Sequence, residues 1–175
     1  MRFERVSGET HRMYKRAMEL YKISFPPHEQ RAADSQARIL GDEDYRFALA
    51  YDEDTFVGMI LYWSAHSFIY VEHLCILPEM RNKHYGQKVL ELLGSGGKKV
   101  ILEIDPPVDD ISARRRGFYE RCGFKQNPYP HIHPPYHRDN KGHPLVIMSS
   151  PAQITAEEYG LFKRYLERRV MADVY

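Results

Sequence analysis

The sequence predicts a mixed α/β (α+β) fold: a mostly antiparallel central sheet of roughly six to seven strands, helices on both faces, and a further helix at the C-terminal end. Three observations predict it. The β-rich runs Tyr45 to Tyr51, Thr55 to Trp63 and Phe68 to Leu77 follow one another across short polar connections such as Asp52-Glu53-Asp54, the pattern of an antiparallel meander. The next apolar run, Val100 to Ile104, is separated from the meander by a helix-patterned segment, which demands a crossover and parallel pairing. Thr155-Ala156-Glu157-Glu158 has the form of a capping box and starts a terminal helix from Ala156 to Met171.

The remaining elements follow in chain order. Arg2 to Val6 can form a first strand, and Thr10 can cap a helix that carries Met13, Ala17, Leu20, Tyr21 and Phe25 at helical spacing until Pro26-Pro27 stops it. A second helix runs from near Asp34 to Gly41, with Ala37 and Leu40 on one side. After the meander, a helix from Tyr85 to Leu93 ends at Gly94-Ser95-Gly96-Gly97. Asp105-Pro106-Pro107 breaks the crossover strand, and a helix from about Ser112 to Cys122 is terminated by Gly123, with a strand beginning at Phe124. A loop rich in Pro, His and Tyr spans Asn127 to His143 before the last strand, Pro144 to Ser149.

Bulk properties narrow the function classes. The 175 residues suit one domain able to bury a core, and 43% hydrophobic with 28% charged residues is ordinary for a folded soluble chain. A net charge of +1 argues against a nucleic-acid binder with a broadly basic face. Two cysteines, Cys75 and Cys122, read as reduced thiols. With no signal-like start and no run near the ~18 apolar residues of a membrane span, a cytoplasmic protein without membrane partners is expected.

Chemistry-bearing residues cluster in three places. Arg81-Asn82-Lys83-His84-Tyr85-Gly86 forms a basic turn between an apolar strand and a helix, and backbone N–H groups at a helix start backed by cations suit a pyrophosphate. The same pattern also arises as a solvated turn. On the preceding strand, strict alternation puts Tyr70, Glu72, Leu74 and Ile76 on one face and Val71, His73 and Cys75 on the other. Glu72 is a carboxylate among apolar neighbours; a raised pKa would fit it for general-base work, and a salt-bridged glutamate is the plainer alternative.

The third cluster is the Gly117-Phe118-Tyr119-Glu120-Arg121-Cys122-Gly123-Phe124 helix end, where the Tyr119 phenol is either a proton donor or a core tyrosine, beside the Arg114-Arg115-Arg116 run. Two loops complete the list. Phe25 and Glu29 end the first helix, and Glu29 can attract a cation or simply be solvated. In the Pro-rich loop, the spacing of His131, His133, His137 and His143 matches no usual zinc template, so no metal is assigned and His133 and Tyr136 read as a binding-site wall.

The strand, basic turn and helix together with the Gly117 to Phe124 motif resemble the acetyl-CoA-binding core of the GCN5-related N-acetyltransferases, the GNAT superfamily, and in particular a bacterial subset marked by the Gly-Phe-Tyr-Glu-Arg helix and a Pro-Pro-Tyr loop. The resemblance implies an acetyltransferase domain over 1–150, with 151–175 as a helical extension on that domain or on a dimer partner. It implies acetyl-CoA as co-substrate and a primary amine as acceptor, in a monomer or homodimer. By that resemblance, Arg81, Asn82, Lys83, His84, Tyr85, Gly86 and Gln87 cradle the pyrophosphate, although His84 stands where the family carries glycine. The backbone at Leu74, Cys75 and Ile76 meets the pantetheine arm and thioester. Glu72 serves as base and Tyr119 as acid, with Tyr70 in reserve for base or water-holding work. Ser112 replaces a family asparagine near CoA, and Phe25, Glu29, Tyr70, His133 and Tyr136 border the amine. Two other readings stay open: an acyl-CoA-binding sensor without turnover, and a metal-binding module using the histidine loop.

Overall fold

A computed structural model describes residues 1–175. Its strands are β1 (Arg2–Val6), β2 (Tyr45–Asp52), β3 (Thr55–Ser64), β4 (Phe68–Ile76), β5 (Lys99–Ile104), β6 (Lys125–Gln126), β7 (His131–His133) and β8 (His143–Ser150). The helices are α1 (Tyr14–Ser24), α2 (Ala33–Ile39), α3 (Tyr85–Gly94), α4 (Asp110–Arg121) and α5 (Ala156–Tyr165). The sheet has eight strands in the order β1-β2-β3-β4-β5-β8-β6, with β7 on β8. Only β4 and β5 pair in parallel, as the crossover through α3 requires. The extra strand relative to expectation arises because the segment after Phe124 splits into two short pieces, both laid against β8.

Two cores flank the sheet. Phe47, Leu49, Met59, Leu61 and Trp63 face a larger core completed by α1, α2 and α5, while Ala48, Ala50, Val57 and Ile60 face a smaller one under α3 and α4. The alternation of large and small side chains on β2 follows from the pleat, and the alanines let α3 and α4 lie close. The C-terminal segment belongs to the larger core: Phe162, Leu166 and Val170 are fully buried there.

Helix starts follow local chemistry. The Thr155–Glu158 capping box forms, and Glu158 also takes Lys99 Nζ at 2.6 Å. The helix then widens into a π turn over Leu166–Val170, short of an unbroken helix to Met171. Thr10 does not cap α1: His11 N–H bonds Gly8 O, His11 Nδ1 accepts Met13 N–H at 3.2 Å, and this turn delays the helix to Tyr14. No helix is long and apolar enough to cross a membrane.

Candidate active site

The decisive feature of the sheet is a parting. The β4–β5 ladder stops at Val71↔Leu102, yet β4 continues to Ile76 and β5 to Ile104. Its cause is a bulge in β4. The register against β3 passes from Tyr62↔Val71 to Leu61↔His73, so Glu72 is an extra residue without a partner. The expected strict alternation therefore fails: Glu72 and His73 both face the larger core, where Glu72 meets Trp63 and Tyr136 and His73 meets Tyr21 and Phe25. Past the bulge, β4 turns away from β5 and leaves its β5-facing backbone groups without a ladder. A cleft of about 1070 Å³ opens between the two strands, at the upper limit of small-molecule sites.

One end of the cleft is bordered by the turn that leads into α3. Pro78–Met80 forms a turn of 3₁₀ helix, and Asn82 and His84 then take φ of +61°, so the chain doubles twice before α3 begins. His84 therefore adopts the left-handed conformation that a glycine would take freely, at a cost of order 1 kcal/mol. The first N–H groups of α3 have no intrahelical acceptor. Gly86 permits close approach: a Cβ there would lie 3.0 Å from the Phe118 ring, which packs α4 over the start of α3.

From this loop only Arg81 and Gly86 line the cleft. Arg81 Nε donates to Ile76 O at 3.3 Å, Tyr85 OH to Asp52 at 3.1 Å, and Gln87 Nε2 to Glu91 at 2.8 Å. Lys83 points to Met80 and, with Asn82 and His84, stays outside the lining. Ser112, expected near the cofactor, is not free to serve there. It is buried in the capping box of α4, bonding Asp109 as both donor and acceptor, which starts the helix at Asp110, two residues earlier than expected. Arg115 does line the cleft, paired with Asp105 at 2.5 Å.

Tyr119 lines the middle of the cleft from α4. Burial pushes its phenol up to about 12, and no hydrogen bond holds it, so it stays a protonated donor. Cys75 lines the cleft from β4, its thiol also pushed up to about 12 by burial.

The far end holds two buried carboxylates. Glu72 accepts from Arg31 Nε, Trp63 Nε1 and Tyr136 OH, each at 2.9 Å, and both it and Arg31 have side chains 0% exposed. Burial pushes its pKa up, but Arg31, His73 and these hydrogen bonds outweigh that and hold it below the ordinary value. The raised pKa expected for a base is thus reversed. Glu103, which sequence reasoning missed, accepts Tyr70 OH at 2.5 Å and His131 Nε2, and lies 3.8 Å from His133 Nε2. Tyr70 thus donates to Glu103, and its pKa is raised by burial and by that carboxylate. Phe25, Glu29, His133 and Tyr136 complete this end; the Glu29 carboxyl is raised by burial and by Asp105.

The histidines of the Pro-rich loop go separate ways: His131 to Glu103, His133 to Pro134 O, His137 to Pro27 O and His143 to Asp105. No group of three or more His, Cys, Asp or Glu side chains is arranged to hold a metal ion.

Comparison with known proteins decides the family. A GNAT acetyltransferase domain model matches residues 43–126, from the turn before β2 through β6. A solved structure assigned to the same family, from Bacteroides thetaiotaomicron, is 30% identical, covers 98% of each chain and superposes with a TM-score of 0.91. The chain belongs to the GNAT family of acetyltransferases. Other solved structures share the fold: an aminoglycoside 6'-N-acetyltransferase complexed with coenzyme A (15% identity, 86% of this chain and 96% of that one, TM-score 0.59), and Arabidopsis thaliana Naa50 in complex with the bisubstrate analogue CoA-Ac-MVNAL (18%, 85% and 97%, 0.57). No curated protein matches the sequence. The mixed sheet with its C-terminal helix is thus the GNAT architecture that the motifs implied.

Proposed function

We propose that this GNAT protein transfers the acetyl group of acetyl-CoA directly to a primary amine bound at the carboxylate-lined end of the cleft. The parting of β4 from β5 carries the reading, because it joins an anion-binding helix start to a buried acidic pocket through one continuous cleft. The residues fit the co-substrate. The α3 N–H groups and Arg81 suit a pyrophosphate, and the unladdered β4 backbone at Leu74, Cys75 and Ile76 suits an amide-containing arm laid beside a strand edge. A backbone N–H there can polarise the thioester oxygen.

The amine is the nucleophile. Cys75, the thiol in the cleft, is held neutral at physiological pH, which argues against an acyl-enzyme. Tyr119, an unengaged protonated phenol facing the cleft, is assigned the proton donor to the departing sulfur. Glu72 is assigned a positioning role: with Arg31 it fixes Tyr136 and Trp63 and so shapes the acceptor wall. Phe25 and Tyr136 offer apolar walls and Glu29 an acidic rim, a combination suited to a cationic amine with an apolar stem.

The test is acetyl-CoA-dependent thiol release across a panel of peptide, lysine, polyamine, aminoglycoside and small-metabolite amines, with mass spectrometry of the product. An N-acetylated amine is expected. Tight CoA binding without transfer to any amine would overturn the reading in favour of an acyl-CoA sensor.

A further inference from the structure

His133 has no counterpart in the mechanism so far. It sits on β7 among the cleft-lining residues, with its side chain 6% exposed. Nδ1 donates to Pro134 O at 2.5 Å, which places the ring proton on Nδ1 and leaves Nε2 with its lone pair. That Nε2 is buried and has no hydrogen-bond partner. A buried imidazole with one nitrogen pinned as donor and the other open is a proton acceptor waiting for a donor.

The charge around it favours that role. Glu103 Oε2 lies 3.8 Å from Nε2, and Tyr70 and His131 fix the carboxylate in place. Glu72 has its charge matched by Arg31, but Glu103 is paired with no lysine or arginine, only with histidines. An imidazolium or an incoming ammonium beside Glu103 thus gains a counter-charge that the same cation beside Glu72 would not. His73, the other cleft imidazole with an open nitrogen, is worse placed: burial lowers its pKa and Arg31 lies close to it.

We propose that His133, backed by Glu103, is the general base that takes a proton from the acceptor ammonium. This rests on the acetyl-transfer reading above. The N–H bond of the ammonium breaks and its proton passes to His133 Nε2. The freed lone pair attacks the thioester carbonyl, the C–S bond breaks, and Tyr119 protonates the sulfur. Two protons leave the nitrogen in all: one passes through His133 to solvent, and the other restores the Tyr119 hydroxyl. The titratable and charged groups around His133 are Glu103 of β5, which Tyr70 and His131 hold in place, His73 of β4, and Tyr136, which ties it to the Glu72–Arg31 pair.

The experiment measures kcat/KM for the best amine from pH 6 to 10 in wild type, His133→Gln and Glu103→Gln, alongside acetyl-CoA affinity by calorimetry. His133→Gln is expected to lose on the order of 10²-fold in kcat/KM near pH 7. Its acetyl-CoA affinity should stay within about twofold, and the loss should shrink as pH approaches the pKa of the amine, where free base is already present. Glu103→Gln should also lower kcat/KM near pH 7 with acetyl-CoA affinity unchanged, because the proton taken up by His133 then lacks its counter-charge. A wild-type-like rate and unchanged acidic limb in His133→Gln would overturn this assignment alone. A wild type that acetylates no amine would overturn the underlying reading as well.

Discussion

Replacing Glu72 by glutamine separates a structural carboxylate from a catalytic one. Glu72 accepts three hydrogen bonds, from Arg31, Trp63 and Tyr136, and neutralises a guanidinium with which it shares complete burial. Glutamine keeps the length but turns one acceptor into a donor that faces another donor, and it leaves Arg31 buried without its counter-charge. Breaking such a pair from one side costs about 3–5 kcal/mol. For a chain of this size that corresponds to a drop in Tm on the order of 10 °C. The assay is urea unfolding followed by the fluorescence of Trp63, the single tryptophan, whose indole N–H reports the same network. Replacing Arg31 and Glu72 together by methionine should cost less than the sum of the single changes. Because the folded Glu72 pKa is lowered, its stabilisation is present at neutral pH and is lost as pH falls through the folded value. The wild-type midpoint should therefore fall more steeply below about pH 4 than that of the glutamine variant. A Glu72→Gln protein within about 1 kcal/mol of wild type that had lost acetyl transfer on the order of 10²-fold would refute the reasoning and return Glu72 to the chemistry.

Other outcomes follow from the same geometry. Tyr119→Phe should lower kcat about tenfold or more near neutral pH with acetyl-CoA affinity unchanged, and the defect should fade above about pH 9, where a thiolate leaves unaided; stopped-flow thiol detection reads both. His84→Gly should raise stability in urea by up to about 1 kcal/mol by releasing the left-handed strain, less the extra freedom gained by the unfolded chain. Gly86→Ala should push Phe118 away from α3, costing about 1 kcal/mol and raising the KM for acetyl-CoA several-fold, while KM for the amine stays put.

Much of this was legible in the sequence because the patterns were local. The meander, the crossover and the Thr155 cap rest on runs and spacings of a few residues. The cleft could be read as a motif, since the basic turn and the Tyr119 helix flank it in sequence order. What escaped was set by tertiary partners. The bulge at Glu72 leaves no residue signature, and it alone moves Glu72 and His73 onto one face. Arg31 lies 41 positions from Glu72, so nothing near either residue announced the pair. Ser112 read as a ligand-facing group because Asp109 was not weighed as its cap. Glu103 offered the same signal as Glu72, a carboxylate inside the apolar run Val100 to Ile104, and applying that criterion to both strands would have found it.

The Arg31 guanidinium also reaches the other way, donating through Nη2 to Val170 O at 2.5 Å, where the π turn ends the last helix. One cation thus closes the chain's terminal helix and anchors the wall of the acceptor pocket. Removing residues 151–175 would strip this cation of its carbonyl and uncover the core side of the sheet. Its activity would then be lost from behind, with every cleft-lining side chain still present in the sequence.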